Sequence, residues 1–107
     1  MSQVQPESEF RRLLSETEQR RIELLRTDLQ ICQTQVGLAE AELACKDYDH
    51  AAQTQARAVK SYNDVRCRFE QQQNWDETVK QEITEKLARL WRRLERLEKL
   101  LQPPSGT

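Results

Sequence analysis

Glycine and proline are nearly missing from the part of the chain that must fold. The 107 residues hold two glycines and three prolines, and between Glu7 and Gln102 there is no proline and only one glycine, Gly37. A β fold of that length needs several tight turns, which draw on Gly, Pro and Asn. Long helices need few such residues. Histidine occurs once, at His50, and cysteine three times, at Cys32, Cys45 and Cys67. An odd, widely spaced set of thiols makes neither a disulfide framework nor a zinc pattern, and it fits a reducing, cytoplasmic location. No stretch approaches the ~20 apolar residues that span a bilayer. The segment from Met1 to Glu7 has no basic region followed by an apolar one, so neither a membrane nor a secretory route is expected. Charge of one sign is lacking too. With 17 basic and 18 acidic residues the net charge is −1, which gives no whole-chain attraction to nucleic acid or anionic lipid. No glycine-rich loop is present to hold a phosphate.

What the chain does have is helical periodicity on a lean core. Hydrophobic residues make up 36% and charged residues 33%, with a mean hydropathy of −0.91. Ile22, Leu25, Leu29, Cys32, Val36, Ala39 and Leu43 follow a 3,4 alternation without a miss, which places them on one helical stripe. Upstream, Phe10, Leu13, Leu14 and Thr17 do not continue it. Ser15 to Glu18 has the form of a capping box, so this helix starts either there or, as one longer helix, near Ser8. The longer helix is expected, because Arg11 and Arg12 do nothing to break it. Gly37 in mid-helix costs about 1 kcal/mol relative to Ala, and close approach by a bulky neighbour such as a Trp would explain it.

A second helix is predicted over about 48–72, with an apolar set of Tyr48, Ala51, Ala52, Ala58, Val59, Tyr62, Val65 and Phe69. Asn74 is the expected N-cap of a third, whose stripe reads Val79, Ile83, Leu87, Leu90, Leu94, Leu97 and Leu101. Glu82–Lys86, Glu85–Arg89 and Glu95–Lys99 are favourable i,i+4 pairs. Short connections make neighbouring helices antiparallel. The expected fold is all-α: one domain over 8–102, an antiparallel up-down-up three-helix bundle with helices at about 8–45, 48–72 and 75–101. The ends, 1–7 and 103–107, are expected to be disordered.

Three groups of residues are candidate sites. Cys45, Asp47, Asp49 and His50 crowd into six positions, but neighbours on one helix point apart, and zinc wants three or four converging ligands. A turn explains the same residues: Asp47 caps the second helix, Asp49 sits in its first turn and Tyr48 packs between helices. A Cys–His nucleophile would need an orienting group and an oxyanion hole as well. Neither a catalytic nor a metal residue is therefore assigned, and no cofactor or small-molecule substrate is expected. Arg89, Arg92, Arg93 and Arg96 share one face of the third helix. Between Lys86 and Lys99 there are six basic and two acidic residues, a local +4. That face suits either solvent or an anion. Trp91, Leu94, Leu97 and Leu101 crowd the end of the same helix and are the expected contact for a protein partner.

The stretch Leu38 to Tyr62 resembles a tetratricopeptide-type helical hairpin. Ala41 and Leu43 stand in its first helix and Lys46-Asp47-Tyr48 in the turn that usually reads Gly-Asp-Tyr. Ala51 or Ala52, Ala58 and Tyr62 stand in its second helix. With the leucine-rich third helix, Ile83 to Leu101, the whole is similar to the three-helix microtubule-interacting-and-transport type of domain. Leu24 to Leu43, the Asp-Tyr turn and the alanine-rich second helix together resemble small bacterial all-helical proteins. That likeness implies a compact cytoplasmic helical protein and brings no activity with it. The expected function is a noncatalytic module for self-association, as a homodimer, or for binding another protein. The alternative is an anion- or nucleic-acid-binding protein using the arginine face, although the balanced charge disfavours nucleic acid.

Overall fold

The stripes read from the sequence become the seams of three helices. In a computed structural model of the chain, residues 6–72 and 74–102 are described, with 6–8 and 10 described by their backbone alone. Helix α1 spans Pro6–Ala44, α2 spans Tyr48–Gln71 and α3 spans Glu77–Leu101, with no strand among the described residues. The order is up-down-up. Asp28 of α1 meets Arg68 of α2 at 2.7 Å, whereas Arg26 meets Glu82 of α3 at 2.8 Å and Glu40 meets Arg93 further along. No helix among the described residues is long and apolar enough to cross a membrane.

Helix α1 is the longer of the two forms expected. It opens at Pro6, where the missing proline N–H costs nothing because the first turn has no intrahelical acceptor, and it passes through Ser15 without a break. Pro6 and Glu7 are thus helical; the rest of the N-terminal segment and 103–107 lie outside the described residues. Leu25, Leu29, Cys32, Val36 and Ala39 are buried against Ala58, Tyr62 and Val65 of α2 and Ile83, Leu87, Leu90, Leu94 and Leu97 of α3. Small residues at the α1–α2 seam let the axes approach closely.

Several local expectations give way to tertiary contacts. Tyr48 and Ala52 are exposed, and Thr54 takes a core position instead. Its hydroxyl donates to Glu42 Oε1 at 2.6 Å, so the buried Thr54 oxygen is not stranded. Asn74 does not cap α3. The cap is Asp76, without a side-chain hydrogen bond, because Trp75 reaches back across the loop. Trp75 Nε1 donates to the Phe69 carbonyl at 2.9 Å and its ring stacks on Phe69 at 5.9 Å. Of the three i,i+4 pairs, Glu82–Lys86 closes, at 3.2 Å. Glu85–Arg89 and Glu95–Lys99 are not among the ion pairs of the described residues. Gly37 faces no tryptophan. A Cβ built there would meet only Arg93 Nη2, at 3.9 Å, an ordinary contact.

The α1–α2 elbow is a Schellman turn. Asp47 N donates to Glu42 O and Lys46 N to Leu43 O, both at 2.9 Å, and Lys46 has a φ of 63°. This is the left-handed position that glycine fills without strain. Two glycine substitutions therefore have opposite expected roles. Gly37→Ala should stabilise by about 1 kcal/mol, roughly 4–8 °C in Tm. Lys46→Gly should stabilise by about 0.5–1 kcal/mol, because it relieves the positive φ. Thermal melts followed by circular dichroism check both, and a fall in either Tm contradicts the geometry.

The ion pairs give an acid limb to stability. Its hydrogen bond from Arg26, helped by Lys86, holds the Glu82 carboxyl at about 2, below its ordinary value of 4.5. A carboxyl depressed by folding stabilises the fold above its unfolded pKa, and that contribution fades as pH falls through the folded one. The window is about pH 4.5 down to 2, and solvent around the pair limits the size to ~0.2–1 kcal/mol. Glu82→Gln should lower stability by that amount at pH 7 and leave it nearly unchanged at pH 2. Urea titrations at the two pH values measure the difference.

Candidate functional site

The elbow brings together donors that the sequence only partly placed. Glu42, Asp47 and His50 have ligand-type atoms within 4.8 Å of one another. Cys45 and Asp49, the neighbours in sequence, are not part of the trio. Glu42 went unnoticed because it lies on the preceding helix; the Schellman turn folds that last helical turn over the start of α2. Each donor already has a partner. Asp47 Oδ1 accepts from His50 N at 3.4 Å, Asp47 Oδ2 lies 2.7 Å from His50 Nδ1, and Glu42 accepts from Thr54. One histidine and two carboxylates are donors a divalent ion could use. Here they cap α2 and tie the two helices together.

The thiols are divided by burial. Cys45 and Cys67 are exposed. Cys32 is buried, its Sγ donates to the Ala58 carbonyl at 3.5 Å, and burial pushes its pKa up to about 11. That thiol stays protonated at neutral pH and acts as a small hydrophobe. No hydrogen bond joins Cys45 to His50 among the described residues.

The four arginines of α3 separate. Arg93 turns toward α1 and holds Glu40 through two hydrogen bonds, at 3.2 Å from Nε and 2.5 Å from Nη2. That fork is geometrically committed, and the hydrogen bond to Glu40 raises the Arg93 pKa. Arg89, Arg92 and Arg96 remain exposed on one face and take part in none of the ion pairs among the described residues.

The expected protein-binding group also separates. Leu94 and Leu97 are only 2% and 1% exposed. They are bundle core and cannot be offered to a partner while the fold is intact. Leu101 is half-buried. Trp91 is 40% exposed; its ring leans on Tyr62 with centroids 5.2 Å apart, beside a cleft of about 310 Å³ between α2 and α3 that Glu95 and Glu98 also line.

A larger apolar surface lies on α1. Two residues on from the buried stripe, about 200° round the helix, runs a second row with the same 3,4 spacing, from Leu13 to Ala41. It lies outside the buried seams, with Leu24 bordering a cleft beside Arg68 and Trp75 and Ile31 one beside Asp64 and Arg68. Leu13, Leu24, Ile31 and Leu38 in it are 49–58% exposed. Two of its three threonines bond back onto the helix. Thr17 Oγ1 donates to the Leu13 carbonyl at 2.8 Å and Thr34 Oγ1 to the Gln30 carbonyl at 3.0 Å, which leaves the methyl groups to form the surface. The first part of α1 stands free. Every described side chain up to Arg21 is exposed, and Arg21, which donates to Gln72 Oε1 at 3.2 Å, marks the level at which α2 ends. About fifteen residues, ~22 Å of helix, project beyond.

Comparison with protein-family models, curated proteins and solved structures found no match, so the likenesses seen in the turn and the helices stand on those residues alone.

Proposed function

We propose that this chain is a noncatalytic helical module that binds another polypeptide along the outer face of α1. One observation carries the reading: exposed Leu13, Leu24, Ile31 and Leu38 fall on one row of a helix whose described side chains are all exposed up to Arg21. A helix of about fifteen residues is marginal in water by itself, and contiguous exposed apolar surface marks an interaction site. A helix-in-groove or helix-on-helix contact is what an amphipathic row of this length suits. Tagged chain recovered from its own cells should retain a polypeptide, another copy or a different protein. Leu24→Glu should lose it without a change in Tm, since Leu24 is half exposed. If nothing is retained in a Leu24-dependent way, the reading falls.

A second reading has one observation in its favour. Arg89, Arg92 and Arg96 form an exposed basic face free of ion pairs among the described residues, which suits an anionic partner. It predicts a complex with RNA or DNA in a low-salt gel shift. The complex should be weakened steeply by salt and lost when the three arginines are changed to glutamine. The absence of any shift at low salt removes it.

A further inference from the structure

We infer that the partner of α1 is α1 of a second copy of this chain, the two helices pairing antiparallel as a two-stranded coiled coil. This rests on the interaction reading above and names its occupant. A 3,4-spaced row from Leu13 to Ala41, ~42 Å of helix, puts Leu13, Leu24, Ile31, Leu38 and Ala41 at coiled-coil seam positions, with Thr17, Arg20, Thr27 and Thr34 between them; that spacing suits packing against another helix, and a globular or extended partner needs no such regularity. The row lies outside the seams of its own bundle, with Leu24 and Ile31 at the edge that borders α2.

Charge and size choose the direction. In a parallel, in-register pair Arg20 would stack on its own counterpart, and Glu23 would flank Asp28. Antiparallel pairing, with Leu13 of one copy against Leu38 of the other, removes both conflicts. It then places Leu24 over Thr27 and Arg21 beside Asp28. Arg20 falls opposite Ile31, where its stem can lie on the isoleucine with the guanidinium in water. This register also accounts for the projecting arm. Residues 9–20 of each copy lie along 31–42 of the other, covering apolar side chains that its own bundle leaves bare.

Sedimentation equilibrium of the intact chain from ~1 μM to ~1 mM should show a monomer–dimer equilibrium, weakened roughly 100-fold by Ile31→Glu, which carries a carboxylate into the seam. Helicity of the variant should be unchanged. Orientation is read from disulfides in a background of Cys45→Ser and Cys67→Ser. A mixture of Leu13→Cys and Leu38→Cys chains should cross-link to each other, whereas Leu13→Cys alone should not link to itself, its two copies lying about 37 Å apart along the pair. A chain that stays monomeric throughout the range overturns the inference, as does self-linkage through Leu13→Cys. A strict monomer leaves the interaction reading to the tagged-chain experiment, where the retained polypeptide would then have to be a different protein.

Discussion

The need to hide the inner stripe of α1 from water governs this structure. Leu25, Leu29, Cys32, Val36 and Ala39 form a narrow buried apolar line on α1, and no single neighbour covers it. Alanine-rich α2 comes close but brings little area; α3 brings the leucines and Ile83. Each helix therefore depends on the other two, and burial rather than intrinsic propensity holds the bundle. The ion pairs follow from this arrangement. Arg26–Glu82, Asp28–Arg68 and Glu40–Arg93 lie along the rims of the seams, where they set the height of one helix against another more than they add stability.

The helices and their core were largely legible, because large aliphatic residues at 3,4 spacing allow one orientation. The stripes of α1 and α3 lie where their periodicity put them, and both helices run in the expected directions. Helix ends were harder to read. Ser15 and Asn74 have good capping chemistry, yet α1 continues through the first and α3 begins after the second. A cap forms only where the rest of the chain turns, and the turn before α3 is set by Trp75 reaching back to Phe69. Tyr48 and Thr54 exchanged roles for a similar reason. The tyrosine sits at a turn with no cover, while the threonine is buried because Glu42, twelve residues away, satisfies its hydroxyl.

Surface residues were the least legible. Arg93 cannot be told from Arg92 or Arg96 by type or spacing; only the position of Glu40 separates it. Leu94 and Leu97 read as spare because the cover supplied by α1 is not visible in one helix's pattern. The outer row of α1 was written in the sequence at the same spacing as the inner one. It reads as polar because it alternates its large apolar residues with Thr17, Arg20, Thr27 and Thr34, and the bonds that Thr17 and Thr34 make to their own helix are visible only in the structure.

The two rows of α1 share one period, and this has a mechanical result. A repeat of seven residues drifts about 20° per heptad on a straight α-helix. Keeping the inner row against α2 and α3 over many turns therefore favours slight underwinding of α1. The outer row lies two residues away at every step, so the same winding straightens it as well. Packing that suits one row therefore suits the other, because the two share a single period.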